Sequence, residues 1–440
     1  MSFQSLGLSQ PVLQALALKE YSTSTPIQEQ AIPILLKGRD LLGIAQTGTG
    51  KTAAFMLPSI DRLADSGKRP QRGACRMLVL APTRELASQI ADSARAYARF
   101  SHMSVATVFG GTSINKNRQD LGRGVDILVA TPGRLLDLVE QRWLDLRQVE
   151  ILVLDEADQM LDLGFIHDLK KIVRHLPEKR QSLFFSATMP KAIRDLADKF
   201  LTEPAQVAVT PVASTVERVE QYVSFVNQAE KPALLTMMLR VGFGPKGSME
   251  RVLIFSRTKH GADRIVKQLA QTGIAANAIH GNKSQPQRER ALAEFKAGKV
   301  KILIATDIAA RGIDVSGVSH VINFDLPNVA EQYVHRIGRT ARAGAAGVAV
   351  AYCADDERPY LKSIERLTRQ ALTPVPLPEG FLAEAARIKT ARAASPIQIV
   401  ERPEREERFA RGHRPKRYSA RPARPHAEAR GGGRRRYASR

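Results

Sequence analysis

Short, nearly continuous apolar runs alternate with amphipathic stretches along this chain, and the alternation happens twice. The first series includes Asp40–Ala45, Met77–Ala81, Asp126–Ala130, Ile151–Leu154 and Ser182–Phe185. The second includes Val252–Phe255, Ala275–Ile279, Val300–Ala305, Val318–Phe324 and Val348–Tyr352. A strand that is apolar on both faces is buried on both, and strands spaced by helices pair in parallel with helices over each face. The expectation is an α/β chain with two parallel-sheet domains. The 440 residues, 43% of them hydrophobic, suffice for two such cores.

The break between the domains falls at residues 210–218, where "TPVAST" lacks periodicity and carries a proline. Residues 241–248, "VGFGPKGS", read as a loop before the first of the second-series strands named above. From 380 onward the composition changes. Arg408–Arg440 holds twelve Arg/Lys and one acid, Glu428, hence +11, which is half of the whole chain's +22. A segment this charged and this poor in large apolar residues is expected to be disordered. So basic a balance points to a polyanion, either nucleic acid or an anionic membrane surface, and composition does not choose between DNA and RNA. Cys75 and Cys353 are the only cysteines and form no ligand cluster, which argues against a disulfide scaffold or a zinc site and fits a reducing cytoplasm. Met1–Gln14 lacks the pattern of a signal peptide, and no apolar stretch reaches membrane-spanning length, so no membrane role is expected.

Ala45-Gln46-Thr47-Gly48-Thr49-Gly50-Lys51-Thr52 follows the apolar run ending at Ile44 and opens a helical pattern. This is P-loop spacing, with Ala45 in place of the first glycine. Glycines let backbone N–H groups curl around phosphates, Lys51 reaches the terminal phosphates and the Thr52 hydroxyl suits Mg²⁺. Ile151–Leu154 then runs into Asp155 and Glu156. Asp155 suits a metal-holding carboxylate, and Glu156 the group that orients or deprotonates an attacking water.

Asp155-Glu156-Ala157-Asp158, together with the P-loop, resembles the signature of DEAD-box RNA helicases, and further motifs follow in that family's order. The resemblance covers about residues 1–375 and looks most similar to the RhlE-type bacterial branch, on the short basic tail and "DIAARGID". It implies two tandem RecA-like domains, at 30–209 and 219–379, preceded by an adenine-recognition segment at 1–29 and followed by an RNA-binding tail at 380–440. In that segment Gln28 would read adenine, Tyr21 would stack on it and Phe3 would pack nearby. Glu20 and Ser24 stand where the family usually has glycine and proline. Ser186 and Thr188 of "SAT" would couple the nucleotide state to strand separation. From the second domain Asp314 would bond the ribose, His335 would contact the SAT element, and Arg339 and Arg342 would reach the γ-phosphate. Ala341 replaces a more usual glycine between these arginines.

The resemblance also implies RNA contacts at Arg84 of "PTREL", Gly110, Gly111, and Thr131, Gly133 and Arg134 of "TPGR", with Gln285, Arg288 and Thr306 from the second domain. Taken singly, each of these short pieces reads first as a turn or a helix cap, and it is their joint order that carries the RNA reading. Backbone amides, hydroxyls and guanidiniums without a base-reading aromatic imply largely sequence-independent binding, the 2′-hydroxyl separating RNA from DNA. The expected activity is RNA-stimulated ATP hydrolysis coupled to local, non-processive opening of short RNA duplexes and RNA–protein remodelling in the cytoplasm, with ATP and Mg²⁺ bound and with ribosome-assembly or RNA-degradation proteins as possible partners. An ATP-gated RNA clamp and a tail-driven annealing protein share the same motifs.

Overall fold

The computed structural model describes residues 1–394 except 47, 210–218, 244–248, 311–314, 316 and 342–346. In the first domain β1 (Leu41–Ile44), β2 (Cys75–Leu80), β3 (Val105–Val108), β4 (Val125–Ala130), β5 (Ile151–Leu154), β6 (Gln181–Ser186) and β7 (Ala205–Ala208) form one sheet. In the second, β8 (Val219–Phe225), β9 (Val252–Phe255), β10 (Asn277–Ile279), β11 (Ile302–Ala305), β12 (His320–Asn323), β13 (Gly347–Cys353) and β14 (Thr373–Pro374) form another. The first sheet has the order β3-β4-β2-β5-β6-β1-β7 and the second β10-β11-β9-β12-β13-β8-β14, the same permutation started seven strands later. Every pairing between these strands is parallel. Both domains are therefore parallel-sheet α/β units, as the double alternation predicted, with the RecA-like architecture that the family resemblance implied.

The central strands β2, β5 and β6 are buried at every residue, whereas β3 and β7 at the edges alternate or face solvent. Apolar clusters cover both faces of each sheet: Phe55, Met77 and Val153 on one side of the first, Leu78, Leu152 and Phe184 on the other. Burial of one such side chain contributes about 1.5–3 kcal/mol. Because all strands are parallel, the loops after them gather at one edge of each sheet, where open α/β folds bind ligands.

Two boundaries shift from expectation. The helix Pro26–Leu36 crosses the expected 29/30 division and packs on the helix Lys51–Asp65, joining the N-terminal segment to the first core. The tail was expected from 380, yet Phe381 is 3% exposed within the second domain's core at the start of a helix, Phe381–Ala394, with Ala385 and Ile388 packed against the same cluster. Residues 381, 385 and 388 are spaced for one helix face, and that periodicity outweighs the local rise in charge. The basic run Arg408–Arg440 and the expected linker 210–218 lie outside the described residues.

Candidate active site and nucleic-acid interface

β1 and β5 are separated in the sheet by β6, so three loops meet: the P-loop, the Asp155 turn and the Ser186 turn. Gly48 and Gly50 have φ of 87° and 93°, and Gly50 caps the helix that begins at Lys51. A Cβ at Gly50 would also sit 2.5 Å from Gln28 Nε2, so a side chain there would displace the Gln28 amide as well as straining the backbone. Gln28 is buried; its Nε2 donates to Gly50 O at 3.2 Å and its Oε1 accepts from Thr25 N at 2.9 Å. It thus ties the N-terminal segment to the phosphate loop as well as facing the cavity.

That cavity has a volume of about 470 Å³ and reaches from Tyr21 and Gln28 past Gly50, Lys51 and Thr52 to Asp155 and Glu156. Lys51 Nζ stands 3.8 Å from Asp155 Oδ1, both buried, and among the described residues neither atom has a hydrogen-bond partner. A buried ammonium and carboxylate without hydrogen bonds would suit a nucleotide phosphate and its metal as partners, since buried charge that is not hydrogen-bonded is costly. Burial pushes the Asp155 carboxyl up to about 6, opposed by Lys51 and assisted by the neighbouring charge of Glu156. Among the described residues no group of three or more His, Cys, Asp or Glu could hold a metal. One carboxylate, one hydroxyl and substrate phosphates are a usual Mg²⁺ environment. Glu156 has φ 54° and ψ 52°, a left-handed conformation costing about 1–3 kcal/mol for a side-chain-bearing residue. It lines the cavity from that position.

Asp158 makes the link to the next loop. Its Oδ2 accepts from Ala187 N at 3.1 Å, Thr188 N at 3.0 Å and Thr188 Oγ1 at 3.0 Å, and Ser186 Oγ donates to Thr188 O at 2.7 Å. Hydrogen bonds therefore tie the Asp155–Asp158 turn to the SAT turn. The sequence reading put no role on Asp158 beyond its motif. It also missed the far wall of the cavity, where Leu86, Gln89, Ile90, Ser93 and Tyr97 follow one face of the helix Arg84–Tyr97. Polar residues inserted at helical spacing into an apolar stripe were the available signal. Tyr21 and Tyr97 lie 6.5 Å apart, tilted, with Lys19 Nζ near both rings. Phe3 is in the core with Leu6 and Leu35, off the cavity wall, and Ala45 is buried with its N–H donating to Ser186 O. Thr47, Asp314 and Arg342 lie outside the described residues.

Three arginines converge beside this site. The Arg84 guanidinium packs on Gly110 and Gly111, and a Cβ on Gly111 would meet Arg84 Nη1 at 2.2 Å. Arg134 Nη1 donates to Thr112 O at 3.0 Å and to Asn117 Oδ1 at 3.3 Å. Burial, then the like charges of Arg288 and Arg134, lower the Arg84 pKa, so an anion is favoured there. Arg288, read from sequence as an RNA contact, donates through Nη2 to Glu85 Oε2 at 2.7 Å, joining second domain to first. Burial raises the Glu85 carboxyl while Arg288 draws it down. Thr131 caps the helix Pro132–Glu140, Gly133 follows in its first turn, Gln285 opens Gln285–Lys296, and Thr306 follows β11, all at strand carboxyl ends.

In the second domain the described basic residues of "HRIGRTAR", His335, Arg336 and Arg339, part ways. Arg336 is buried, paired with Asp307 at 2.6 and 2.7 Å, donating to Asn323 and Asp325 O, and lying over Phe255; it is a core strut. His335 and Arg339 line a small cavity beside it.

The DEAD/DEAH box helicase family pattern matches residues 25–196, and the helicase conserved C-terminal domain matches 230–344. The chain is 42% identical over 371 residues to the DEAD-box ATP-dependent RNA helicase CshA of Bacillus cereus, covering 84% of this chain and 69% of that one. To the RNA helicase CrhR of Synechocystis it is 44% identical over 388 residues, covering 88% and 77%. Among solved structures, S. cerevisiae Dbp5 bound to RNA and ADP BeF3 matches with a TM-score of 0.76 at 31% identity, covering 88% of this chain and 99% of that one. Mss116p bound to ssRNA and AMP-PNP matches with a TM-score of 0.77 at 27% identity, covering 88% and 80%. The chain belongs to the DEAD-box ATP-dependent RNA helicases. Among the described residues no helix is long and apolar enough to cross a membrane.

Proposed function

We propose that this enzyme couples RNA-stimulated ATP hydrolysis to local, non-processive opening of short RNA duplexes and to RNA–protein remodelling. The reading is carried by one observation: the buried Lys51 Nζ and Asp155 Oδ1, 3.8 Å apart and without hydrogen-bond partners among the described residues, beside a loop that Asp158 ties to Ser186–Thr188. Lys51 and the P-loop amides hold the phosphates, Thr52 and Asp155 would hold Mg²⁺, and Glu156 orients and deprotonates the attacking water. Bound Mg²⁺ supplies charge neutralisation on the phosphates. Gln28 and Tyr21 select adenine. Asp314 would bond the ribose and Arg339 and Arg342 the γ-phosphate, so that hydrolysis waits on the second domain. RNA would cross Arg84, Gly110, Gly111, Thr131, Gly133 and Arg134 and continue over Gln285, Arg288 and Thr306. With Glu85 and Arg288 paired, RNA and ATP bound together favour the joined arrangement.

The RhlE-type branch, a cytoplasmic location, ribosome-assembly or RNA-degradation partners and added RNA affinity from Arg408–Arg440 complete the proposal. The test is phosphate release with and without RNA, run beside release of a labelled strand from short and long duplexes. RNA should raise turnover severalfold, and the short duplex alone should open efficiently. Turnover indifferent to RNA would refute coupling, and equal opening of both duplexes would refute non-processive action.

A further inference from the structure

The parallel strands of the first sheet also gather their starting ends at one edge, opposite the nucleotide and the RNA contacts named above. Two cavities of about 480 and 510 Å³ lie there and share Lys68, Arg69 and Arg76. Arg123 adds to the first, and Arg147 and Lys179 to the second. The acids that line them are Asp126 and Glu150, and Asp145 beside them pairs with Arg147 at 2.7 Å, so six cations face three carboxylates.

Asp126 and Glu150 are already engaged by a buried partner. Arg76 lies 2.8 Å from Glu150 Oε1 and 3.5 Å from Asp126 Oδ1. It also donates to Lys68 O at 2.9 Å, fixing the loop that carries Lys68 and Arg69. The other five cations are exposed on the rim, Lys68 also lying 3.3 Å from Glu150 Oε2, and the neighbouring Arg72, exposed as well, donates to Gly122 O. We infer that this edge is a second RNA surface, holding the phosphate backbone of single-stranded RNA that extends beyond the cleft. The inference rests on the RNA-binding reading given above.

Two features favour RNA over an acidic protein. Most of the rim cations are arginines, whose planar forks match phosphate oxygens, set on a floor that is fixed in advance. A route also leads here from the cleft. β4, six residues long, separates the two edges by about 20 Å at ~3.3 Å per residue. The eight-residue helix Ile114–Leu121, about 12 Å long at ~1.5 Å per residue, covers part of that distance: its Asn117 holds Arg134 at the cleft, and its Arg118 lies with its guanidinium carbon 3.3 Å from the centroid of Trp143. Trp143 is 41% exposed, and an exposed arginine stacked on an exposed indole suits the sugar and base faces of a passing strand.

The test uses the full chain, its Arg69→Glu/Lys179→Glu variant, and two unstructured RNAs: one just long enough to fill the cleft and one several times longer. The variant should bind the long RNA severalfold more weakly, with a log–log salt slope shallower by about 1.4, at ~0.7 for each of two lost phosphate contacts. Affinity for the short RNA and the turnover it stimulates should match the parent. Arg69→Gln/Lys179→Gln should show the same direction with a smaller loss. Unchanged affinity and slope on the long RNA would overturn the inference. So would an equal loss on both RNAs, or a variant that loses polyglutamate binding while keeping the long RNA. Failure of the short RNA to stimulate the parent chain would instead strike the cleft reading itself.

Discussion

The two domains share one strand order, yet the groups that follow their corresponding strands differ. In the first, β1 leads through Gly48 and Gly50 to Lys51, which faces Asp155 just beyond β5. In the second, the corresponding strand β8 leads to Lys231 at the start of its own helix, and Asp325 lies just beyond β12. Lys231 Nζ is 3.8 Å from Asp325 Oδ1, the same separation as in the first domain. The difference is the third group. Glu357 brings a carboxylate to 2.5 Å from Lys231, and it also accepts from Arg257 Nη2 at 2.7 Å, Leu326 N at 3.1 Å and Ala354 N at 3.2 Å. The approach Val226–Lys231 contains no glycine to open an amide cradle. An anion from the chain itself satisfies the second lysine, whereas Lys51 Nζ has no hydrogen-bond partner among the described residues. The same framework serves as a binding site in one copy and as a core in the other.

The largest effect should come from the open site. Glu156→Gln should lower RNA-stimulated turnover about 10²–10⁴-fold, the usual cost of removing a general base, while ATP binding persists because Lys51, Thr52 and Asp155 are untouched. Phosphate release and nucleotide titration measure the two quantities separately, and parental turnover would remove Glu156 from the water-activating role. The closed copy should respond in stability. Glu357→Ala leaves Lys231 buried without its nearest partner and should destabilise the second domain by about 3–5 kcal/mol. Denaturant unfolding reads this directly, and a loss below 1 kcal/mol would mean the pair is incidental.

Smaller effects test the base end of the site. Gln28→Ala should narrow the preference for ATP over GTP by about tenfold, the cost of roughly one unsatisfied polar contact. It should also loosen the phosphate loop, because Gln28 bonds Gly50 O. Competition binding of the two nucleotides decides it. The smallest effect concerns Glu20 and Ala341, which stand where the family usually has glycine. Both adopt left-handed backbone, with φ of 57° and 53°, so the conformation has been kept and the side chain is strained. Glu20→Gly or Ala341→Gly should each stabilise the chain by about 0.5–1 kcal/mol, after allowance for glycine's greater unfolded freedom. Thermal unfolding of each variant would show it.

The fold was legible where burial is symmetric. β2, β5 and β6 are buried on both faces and read as continuous apolar runs, while β3 and β7 are half-exposed edge strands whose short alternating patterns resemble loops. The site was legible where chemistry demands particular residues at fixed spacing, as at Gly50–Thr52 and Asp155–Asp158. It was hidden where partners come from distant segments: Asp158 with Thr188, Glu85 with Arg288 and Lys231 with Glu357 are separated by 30, 203 and 126 positions. The helix Phe381–Ala394 was masked by the rise in positive charge around it, although its apolar spacing was present.

Equilibrium dialysis of labelled ATP against the full chain, with and without Lys51→Ala, addresses the division between the two domains most directly. One nucleotide per chain should bind, and Lys51→Ala should abolish it, because the second lysine is already held by Glu357. Two nucleotides per chain, or one that survives Lys51→Ala, would show that the second domain holds a nucleotide of its own and that the open and closed copies have been assigned wrongly.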